Sequence, residues 1–241
     1  MCFISFKKSI LCVIEEIMSF SSLVFSKTFL YSIYFNFRYL PFDQAKYLPI
    51  FIFDTQVYGK PNIKIESSII YKGMIRIGRQ GRNVWRKGNG TFTFWNGTII
   101  FKGSCRLTSC CHLRVLDGGE LILGDNFYAS SYVNIHCAEN IQIGNDVYVA
   151  WDVLIMDTDY HKFYKEDKAS LSKPTRPIII GRRCWIAAKS MILKGTILND
   201  DTIVGGGSVV QAQFKESGII IKGNPAVSVK GQICIKPDLF W

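Results

Sequence analysis

The chain has 241 residues, of which 48% are hydrophobic and 20% charged, and its formal net charge is +10. This composition excludes a disordered chain and leaves enough length for one large domain, or for a core with an appendage. The positive charge favours an anionic partner such as a phosphate-bearing cofactor or an acidic membrane surface. No dense Lys/Arg block or nucleic-acid motif is present, so we expect no nucleic acid partner.

Residues 1–60 predict a separate, partly helical N-terminal element. The apolar run over residues 9–35 is broken by three charged residues. It therefore falls short of the ~20 apolar residues that a membrane-spanning helix needs. No signal-peptide cleavage site follows it. Two interpretations stay open: helices packed on the main domain, or an interfacial helix that gives residues 1–40 a peripheral contact with the inner face of a membrane.

The strongest signal downstream is a period of six. Aliphatic residues recur at every sixth position in one ladder, which is Ile180, Ile186, Ile192, Leu198, Val204 and Val210. A second ladder comprises Leu123, Ala129 and Ile135 and then, after a two-residue insertion near Ala138, Ile143, Val149 and Ile155. Small residues follow several of these positions. This period fits neither a helix nor a plain alternating strand.

A six-residue period predicts short strands joined by tight turns, with three such units in each triangular coil. The aliphatic side chains then point inward and stack from coil to coil, while the small residues let the chain bend at the corners. We place this solenoid at residues 61–212, with a loop at 156–177 and a C-terminal extension at 213–241. The repeat is looser before residue 120.

The second ladder stops at MDTDYH, residues 156–161, which contains one of only three histidines in the chain. Taken alone, His161 is better explained as a solvent-exposed histidine in an ordinary polar loop. Eight cysteines are present without metal-ligand spacing, and we interpret them as reduced thiols of a cytoplasmic protein.

The hexad pattern resembles that of the hexapeptide-repeat acyltransferases, which fold as a left-handed parallel β-helix. WIAAKSMILKGTILNDDTIVGGGSVV (185–210) and KGNPAVSVKG (222–231) are similar to the final coils and exit segment of that family. The resemblance covers about residues 95–230. IHCAENIQIG (135–144) and AWDVLIMDTDYH (150–161) are similar to the branch that O-acetylates sugars of surface polysaccharides. One departure is N-D-D at 199–201, where the family often has glycine.

The resemblance implies that His161 is the general base that removes the proton of the acceptor hydroxyl. An imidazole suits this role because its ordinary pKa lies near 6.5. We expect a carboxylate to fix its tautomer, Asp159 first and Asp157 second. The candidate acceptor-binding residues are Tyr132, Asn134, His136 and Trp151, although His136 also fits a hydrogen-bonded corner residue. We interpret His112 as structural.

Acetyl-CoA is the implied donor. The positions that match the family's cofactor groove are Trp185, Ala187, Ala188, Gly205 and Gly206, where small residues admit the ligand close to the backbone. Three lysines are placed to meet the cofactor phosphates, Lys194, Lys222 and Lys230, although each also fits a solvated surface charge. The family forms homotrimers with active sites between subunits. The mechanism requires no metal.

The sequence therefore predicts a mainly β protein with a left-handed parallel β-helix, a partly helical N-terminal element and a C-terminal extension. We expect an acetyl-CoA-dependent O-acetyltransferase that acts on a sugar of a surface polysaccharide or its precursor. Two alternatives stay open. The acceptor could instead be small, such as serine, an amino sugar, a galactoside-like sugar or a xenobiotic, or the β-helix could be a non-catalytic binding module.

Overall fold

The computed structural model describes residues 27–78, 88–162, 164 and 171–229. Two helices come first, α1 (Lys27–Tyr39) and α2 (Phe42–Ala45). The strands are β1 (Ile50–Ile52), β2 (Thr55–Gly59), β3 (Asn62–Ile65), β4 (Ile75–Ile77), β5 (Gly90–Phe94), β6 (Thr98–Phe101), β7 (Cys105–Leu107), β8 (His112–Val115), β9 (Glu120–Leu123), β10 (Phe127–Ala129), β11 (Asn134–Cys137), β12 (Asn140–Ile143), β13 (Tyr148–Val149), β14 (Leu154–Met156), β15 (Ile178–Ile180), β16 (Trp185–Ile186), β17 (Met191–Leu193), β18 (Ile197–Leu198), β19 (Ile203–Val204), β20 (Val209–Val210), β21 (Gln213–Phe214), β22 (Ile220–Gly223) and β23 (Ala226–Val229).

Every third strand joins the same sheet, so the strands form three parallel sheets around one axis. Sheet A has nine strands in the order β1-β4-β7-β10-β13-β16-β19-β22-β23. Sheet B has the order β2-β5-β8-β11-β14-β17-β20, and sheet C the order β21-β18-β15-β12-β9-β6-β3. Only β22 and β23, among the strands described, pair antiparallel. The predicted left-handed parallel β-helix is confirmed.

The six-residue ladders form the core. Every member of the Ile180 ladder is at most 2% exposed, and so is every member of the ladder that begins at Leu123. Ile186 pairs with Val204, one coil and eighteen residues later, so equivalent side chains stack along the axis. The earlier coils use buried aromatic rings at these inward positions, including Phe92, Phe94, Phe101 and Phe127.

Glycines allow adjacent coils to touch at one corner. A Cβ atom on Gly124 would lie 2.3 Å from the backbone of Gly144, and one on Gly144 would lie 2.8 Å from that of Gly181. Neither position has room for a side chain, because real Cβ atoms do not approach backbone atoms this closely. These glycines are the small corner residues that the repeat predicts.

Helix α1 closes the N-terminal end of the solenoid through buried polar contacts. The Asn36 side chain accepts from the backbone N–H of Ile50 at 3.0 Å and donates to its carbonyl at 2.7 Å. Ser32 makes the equivalent contacts with Ile52. These side chains thus bind the backbone N–H and C=O groups on the outer edge of β1, which has no neighbouring strand on that side. Within the described part of the chain, neither helix is long and apolar enough to cross a bilayer.

The parallel pairing extends past both predicted boundaries of the solenoid. Strands β1 and β2 pair with β4 and β5, so the first coil begins at Ile50 rather than at residue 61. Strand β21 pairs with β18 and β22 pairs with β19, so the parallel pairing continues to Ile221 rather than ending at 212. The first coil could not be predicted from the sequence because it lacks the six-residue spacing. Its packing is completed by α1 instead. The loop between β14 and β15 spans 157–177, one residue from its predicted start.

Candidate functional site

The three sheets meet at three edges of the solenoid, and each edge carries a different set of predicted site residues. The A–B edge is formed by the turns that lead from sheet A to sheet B, the B–C edge by those from sheet B to sheet C, and the C–A edge by those from sheet C to sheet A. The loop with His161 leaves the B–C edge after β14. The predicted cofactor positions Ala187, Ala188, Gly205 and Gly206 lie on the A–B edge. One chain therefore holds the two groups on separate edges.

His161 is exposed where the loop leaves the solenoid. Its ring makes no hydrogen bond with any residue in the described part of the chain. The preceding turn is fixed, because the Tyr160 N–H donates to Oγ1 of Thr158 at 2.9 Å and Tyr160 adopts a φ of 62°. The loop is also closed at its base by a bridge between Thr158 and Thr175. The imidazole thus stands in solvent on an anchored stem.

Asp157 has a structural role, because its carboxylate binds the backbone of the preceding coil. Its carboxylate is fully buried and accepts three backbone N–H groups, from Ala138 at 2.7 Å, Glu139 at 2.8 Å and Asn140 at 2.9 Å. Burial raises the pKa of Asp157, while the three N–H groups act in the opposite direction. This carboxylate holds the two-residue insertion of the preceding coil. The geometry does not place it on His161.

Asp159, the preferred partner of His161, is paired elsewhere. Its carboxylate forms a salt bridge with the Lys194 ammonium. Lys194 is only 8% exposed and also donates to the carbonyls of Lys173 at 3.4 Å and Pro174 at 3.3 Å. Lys194 therefore anchors the loop from beneath. This occupation runs against its predicted contact with the cofactor phosphates, because the side chain enters the loop and not the A–B edge.

His136 is the histidine that the structure ties to the loop. The Tyr160 hydroxyl lies 2.9 Å from Nδ1 of His136, and the two rings meet edge to face at 5.9 Å. Burial lowers the pKa of His136, and the charges of Arg114 and His112 lower it further. The ring is thus biased towards its neutral form next to the residue that precedes His161. Both predicted interpretations of His136 fit this position.

The outward face of sheet B changes character along the axis. Two rows run across its strands: Thr91, His112 and Asn134 in one, and Thr93, Arg114 and His136 in the other. Beyond them the outward residues are apolar, namely Leu154, Met156, Met191, Leu193 and Val209. The loop of His161 begins at this boundary. Asn134 and His136, two of the four candidate acceptor-binding residues, therefore lie on the same face.

The other two predicted acceptor residues lie on the A–B edge. Tyr132 and Trp151 occupy turns one coil apart, and Trp151 is 56% exposed. The Lys189 N–H donates to the Trp151 carbonyl at 3.1 Å, so this edge continues directly into the turn of Ala187 and Ala188. Tyr132 and Trp151 thus share an edge with the predicted cofactor residues and not with Asn134.

Two of the remaining predicted cofactor residues, Trp185 and Lys222, lie close to the A–B edge. Trp185 is exposed on sheet A beside the A–B edge, and Lys222 is exposed next to Gly205, whose added Cβ would meet the Lys222 Cβ at 2.9 Å. Lys230 lies outside the described residues. Lys222 is therefore the lysine whose position fits the predicted phosphate contact.

The acidic N-D-D departure lies on the C–A edge. Arg182 donates twice to Asp200, through Nε at 3.0 Å and Nη2 at 2.8 Å. Arg183 reaches both oxygens of Asp201, at 2.8 and 2.7 Å. Each acid is thus paired with an arginine one coil earlier. The departure does not touch the predicted cofactor positions on the A–B edge.

A cavity of about 430 Å³ lies on the outer face of sheet A. It is lined by Tyr71, Arg76, Arg106 and Tyr128 among others, and contains none of the predicted site residues. The five cysteines described, Cys105, Cys110, Cys111, Cys137 and Cys184, are buried free thiols. Burial raises the pKa of Cys111 and Cys184 to about 12, so these thiols are unreactive.

Sequence reasoning missed the contacts of Tyr160 and Arg114. The tyrosine was visible next to His161, but its bond to His136 depends on a turn with positive φ that no hexad indicates. Arg114 stands one strand from His136, and its guanidinium lies 5.9 Å from the centre of the Trp95 ring. An alternating strand pattern identifies Arg114 as outward-facing but does not give its neighbours in the next coil.

No protein-family model matches the sequence. The chain is 31% identical over 145 residues to WbbJ of Escherichia coli (strain K12), named as a lipopolysaccharide biosynthesis O-acetyl transferase, and the match covers 56% of this chain and 72% of that protein. It is 30% identical over 118 residues to WcaF of the same organism, named as a colanic acid biosynthesis acetyltransferase, with coverage of 47% and 60%.

Among solved structures, the fold is similar to that of the polySia specific acetyltransferase NeuO. The TM-score is 0.51 at 19% identity, and the match covers 77% of this chain and 88% of NeuO. At this identity the likeness supports the fold alone. It agrees with the three parallel sheets described above.

We expect Lys194→Met to loosen the loop and leave the solenoid intact. Loss of the ammonium removes the salt bridge to Asp159 and two bonds to loop carbonyls, which together contribute on the order of 1–3 kcal/mol to loop closure. Amide hydrogen exchange at Asp159 and Arg176 should accelerate by about tenfold, since each N–H is bonded across the loop base. The exposed Lys189→Met is the matched control. Unchanged exchange at both amides would contradict the anchoring role.

Proposed function

Because this chain belongs to the hexapeptide-repeat acyltransferase family, we propose that it transfers an acetyl group from acetyl-CoA to a sugar hydroxyl of a surface polysaccharide or its precursor. The observation that carries the proposal is the position of His161. His161 is exposed on the connection between β14 and β15, which is the one long loop among the strands from β5 to β21. This loop begins directly beside the polar outward residues of β5, β8 and β11 on sheet B. The names of WbbJ and WcaF support a glycan acceptor.

His161 acts as the general base in this proposal. Its neutral imidazole takes the proton of the sugar hydroxyl as that oxygen bonds to the thioester carbonyl carbon. The tetrahedral intermediate then expels the CoA thiolate, which receives the proton back from the imidazolium. The products are the O-acetylated sugar and free CoA. The Asp157 carboxylate is bonded to backbone N–H groups and that of Asp159 to Lys194, so we expect both residues to position the loop that carries His161.

We assign the donor to the A–B edge. Ala187, Ala188, Gly205 and Gly206 give a strip of small residues along which the amides of a pantetheine arm can approach the backbone. Lys222 stands beside this strip and is exposed to meet phosphate. A 3′-phosphorylated nucleotide also fits the net charge of +10.

The separation of the edges supports a homotrimer. A thioester on the A–B edge of one chain meets His161 on the B–C edge of another when two chains pack side by side. The apolar outward residues of β14, β17 and β20 supply a surface for such packing, including Met191, which is 37% exposed. The active sites in this arrangement lie between subunits.

We also propose that the enzyme works in the cytoplasm, with peripheral membrane contact through residues 1–40. The buried free thiols support a reducing compartment. Within the described residues 27–40, Leu30, Tyr34 and Phe37 are exposed along α1. Co-sedimentation with vesicles that contain anionic phospholipid measures the contact, and a chain that stays in the supernatant would contradict it.

We expect His161→Ala to lower kcat/KM for acetyl transfer by about 10²- to 10⁴-fold, because the general base is lost. The measurement is free-thiol release from acetyl-CoA across a panel of glycan fragments, sugars and small acceptors. Lys162→Ala, an exposed neighbour in the same loop, is the control and should retain wild-type turnover. CoA affinity should be unchanged in both variants.

Three other outcomes would redirect the proposal. Unchanged turnover in His161→Ala would remove this residue from the mechanism. Turnover on small acceptors but on no glycan would favour the small-acceptor alternative. Failure of the wild-type chain to bind CoA would favour a non-catalytic binding module.

We expect Ala188→Leu to raise KM for acetyl-CoA by about tenfold or more, since a bulky side chain would occupy the strip that the pantetheine arm follows. Ala188 is half-buried on the A–B edge. The exposed Ser217→Leu lies on the C–A edge, away from both proposed parts of the site, and is the matched control. Equal KM values for the two variants would place the donor elsewhere on the molecule.

A further inference from the structure

The polar part of sheet B combines hydrogen-bonding side chains with one unusual cation. Thr91, Thr93, His112, Asn134, His136 and Arg114 are its outward residues on β5, β8 and β11. No outward position in the seven strands of sheet B, all of which are described, carries a carboxylate. The Thr91 hydroxyl lies 2.8 Å from Nδ1 of His112, so the face is already ordered.

Arg114 is the positive charge at the centre of this face. Its side chain is exposed, and its guanidinium lies 5.9 Å from the centre of the Trp95 ring, which is itself 56% exposed. Across the described residues, no acidic side chain forms an ion pair with Arg114, whereas Arg182 and Arg183 are each paired with an aspartate. Arg114 thus presents five N–H donors above the ring of Trp95, which leaves more than half of that side chain exposed.

The location of Arg114 links it to the proposed reaction. Arg114 pairs in register with His136, which in turn pairs with Met156, the last strand residue before the loop of His161. Parallel strands lie about 4.8 Å apart, so Arg114 stands roughly 10 Å from the start of this loop. A ligand that reaches from Arg114 to His161 therefore passes over His136 and Tyr160. These two side chains are joined by a contact of 2.9 Å between the tyrosine hydroxyl and Nδ1 of the histidine.

We propose that the acceptor is an acidic glycan whose carboxylate binds Arg114 and whose sugar ring packs on Trp95. The guanidinium fork matches a carboxylate in two parallel hydrogen bonds, and the aromatic face covers the apolar side of a pyranose. The hydroxyls, amide and imidazoles around Arg114 bind the neutral part of the chain. This inference rests on the proposed function, since it names the acceptor class for the same site.

The test separates binding from turnover. Isothermal titration measures the affinity of the full-length His161→Ala chain for hexuronate and sialate oligosaccharides and for their carboxyl-reduced counterparts. The same panel is then measured with Arg114→Gln and with Arg114→Lys added to that background. Arg106→Gln is the matched control, because Arg106 is an exposed arginine on sheet A and its loss changes the net charge equally.

We expect an acidic oligosaccharide to bind at least tenfold more weakly to the Arg114→Gln chain, with partial recovery in Arg114→Lys and no change in Arg106→Gln. Its carboxyl-reduced counterpart should bind weakly and equally to all four. Added NaCl should weaken the acidic ligand alone. The inference is overturned if Arg114→Gln leaves acidic binding unchanged, if reduced glycans bind as well as acidic ones, or if none of the oligosaccharides binds.

Wild-type turnover distinguishes this inference from the proposed function. Acetyl transfer to neutral glycans with no dependence on Arg114 would remove the acidic acceptor and leave the enzyme in place. Arg114-dependent binding of acidic glycans without acetyl transfer from acetyl-CoA would remove the enzymatic proposal and leave a carboxylate-binding face.

Discussion

The stacking of coils at one strand spacing is the constraint on which the molecule depends. Inward aliphatic residues must repeat every six positions to keep the core continuous, and corner glycines must stay small because the next coil lies against them. This regularity decides which surface residues meet. Arg182 reaches Asp200 and Arg114 stands beside His136 because each pair is separated by one coil, although neither pair is close in sequence.

The same geometry separates the parts of the proposed site. Turns that follow strands of sheet A lie on the A–B edge, and turns that follow strands of sheet B lie on the B–C edge. His161 and the small residues at 187–188 therefore face different directions in one chain. The polar and apolar parts of sheet B meet where the loop begins. We interpret the apolar part as the surface that receives a second chain and the polar part as the surface that receives the acceptor. The catalytic unit in this account is the contact between two copies.

Much of the fold could be predicted from the sequence, because the six-residue period is a direct image of core stacking. The ladder from Ile180 to Val210 needed no other information. The first coil did not show this signal, since α1 and aromatic residues complete its packing. The loop contacts were also hidden. Lys194 and Asp159 are 35 positions apart and meet only because the loop folds back, and the buried Asp157 binds backbone that an insertion has displaced. Residue types therefore indicated chemistry at 157–161 without showing which groups were already occupied.

Complementation between two impaired variants, assayed with acetyl-CoA well below its KM, tests the shared site most directly. The His161→Ala and Ala188→Leu chains would be mixed, dissociated and reassembled, and acetyl transfer compared with that of each parent treated alone. We predict that activity returns to about a quarter of the wild-type value, because about a quarter of random interfaces join an intact His161 edge to an intact A–B edge. Mixed oligomers that form but are no more active than the mean of their two parents would contradict the shared site.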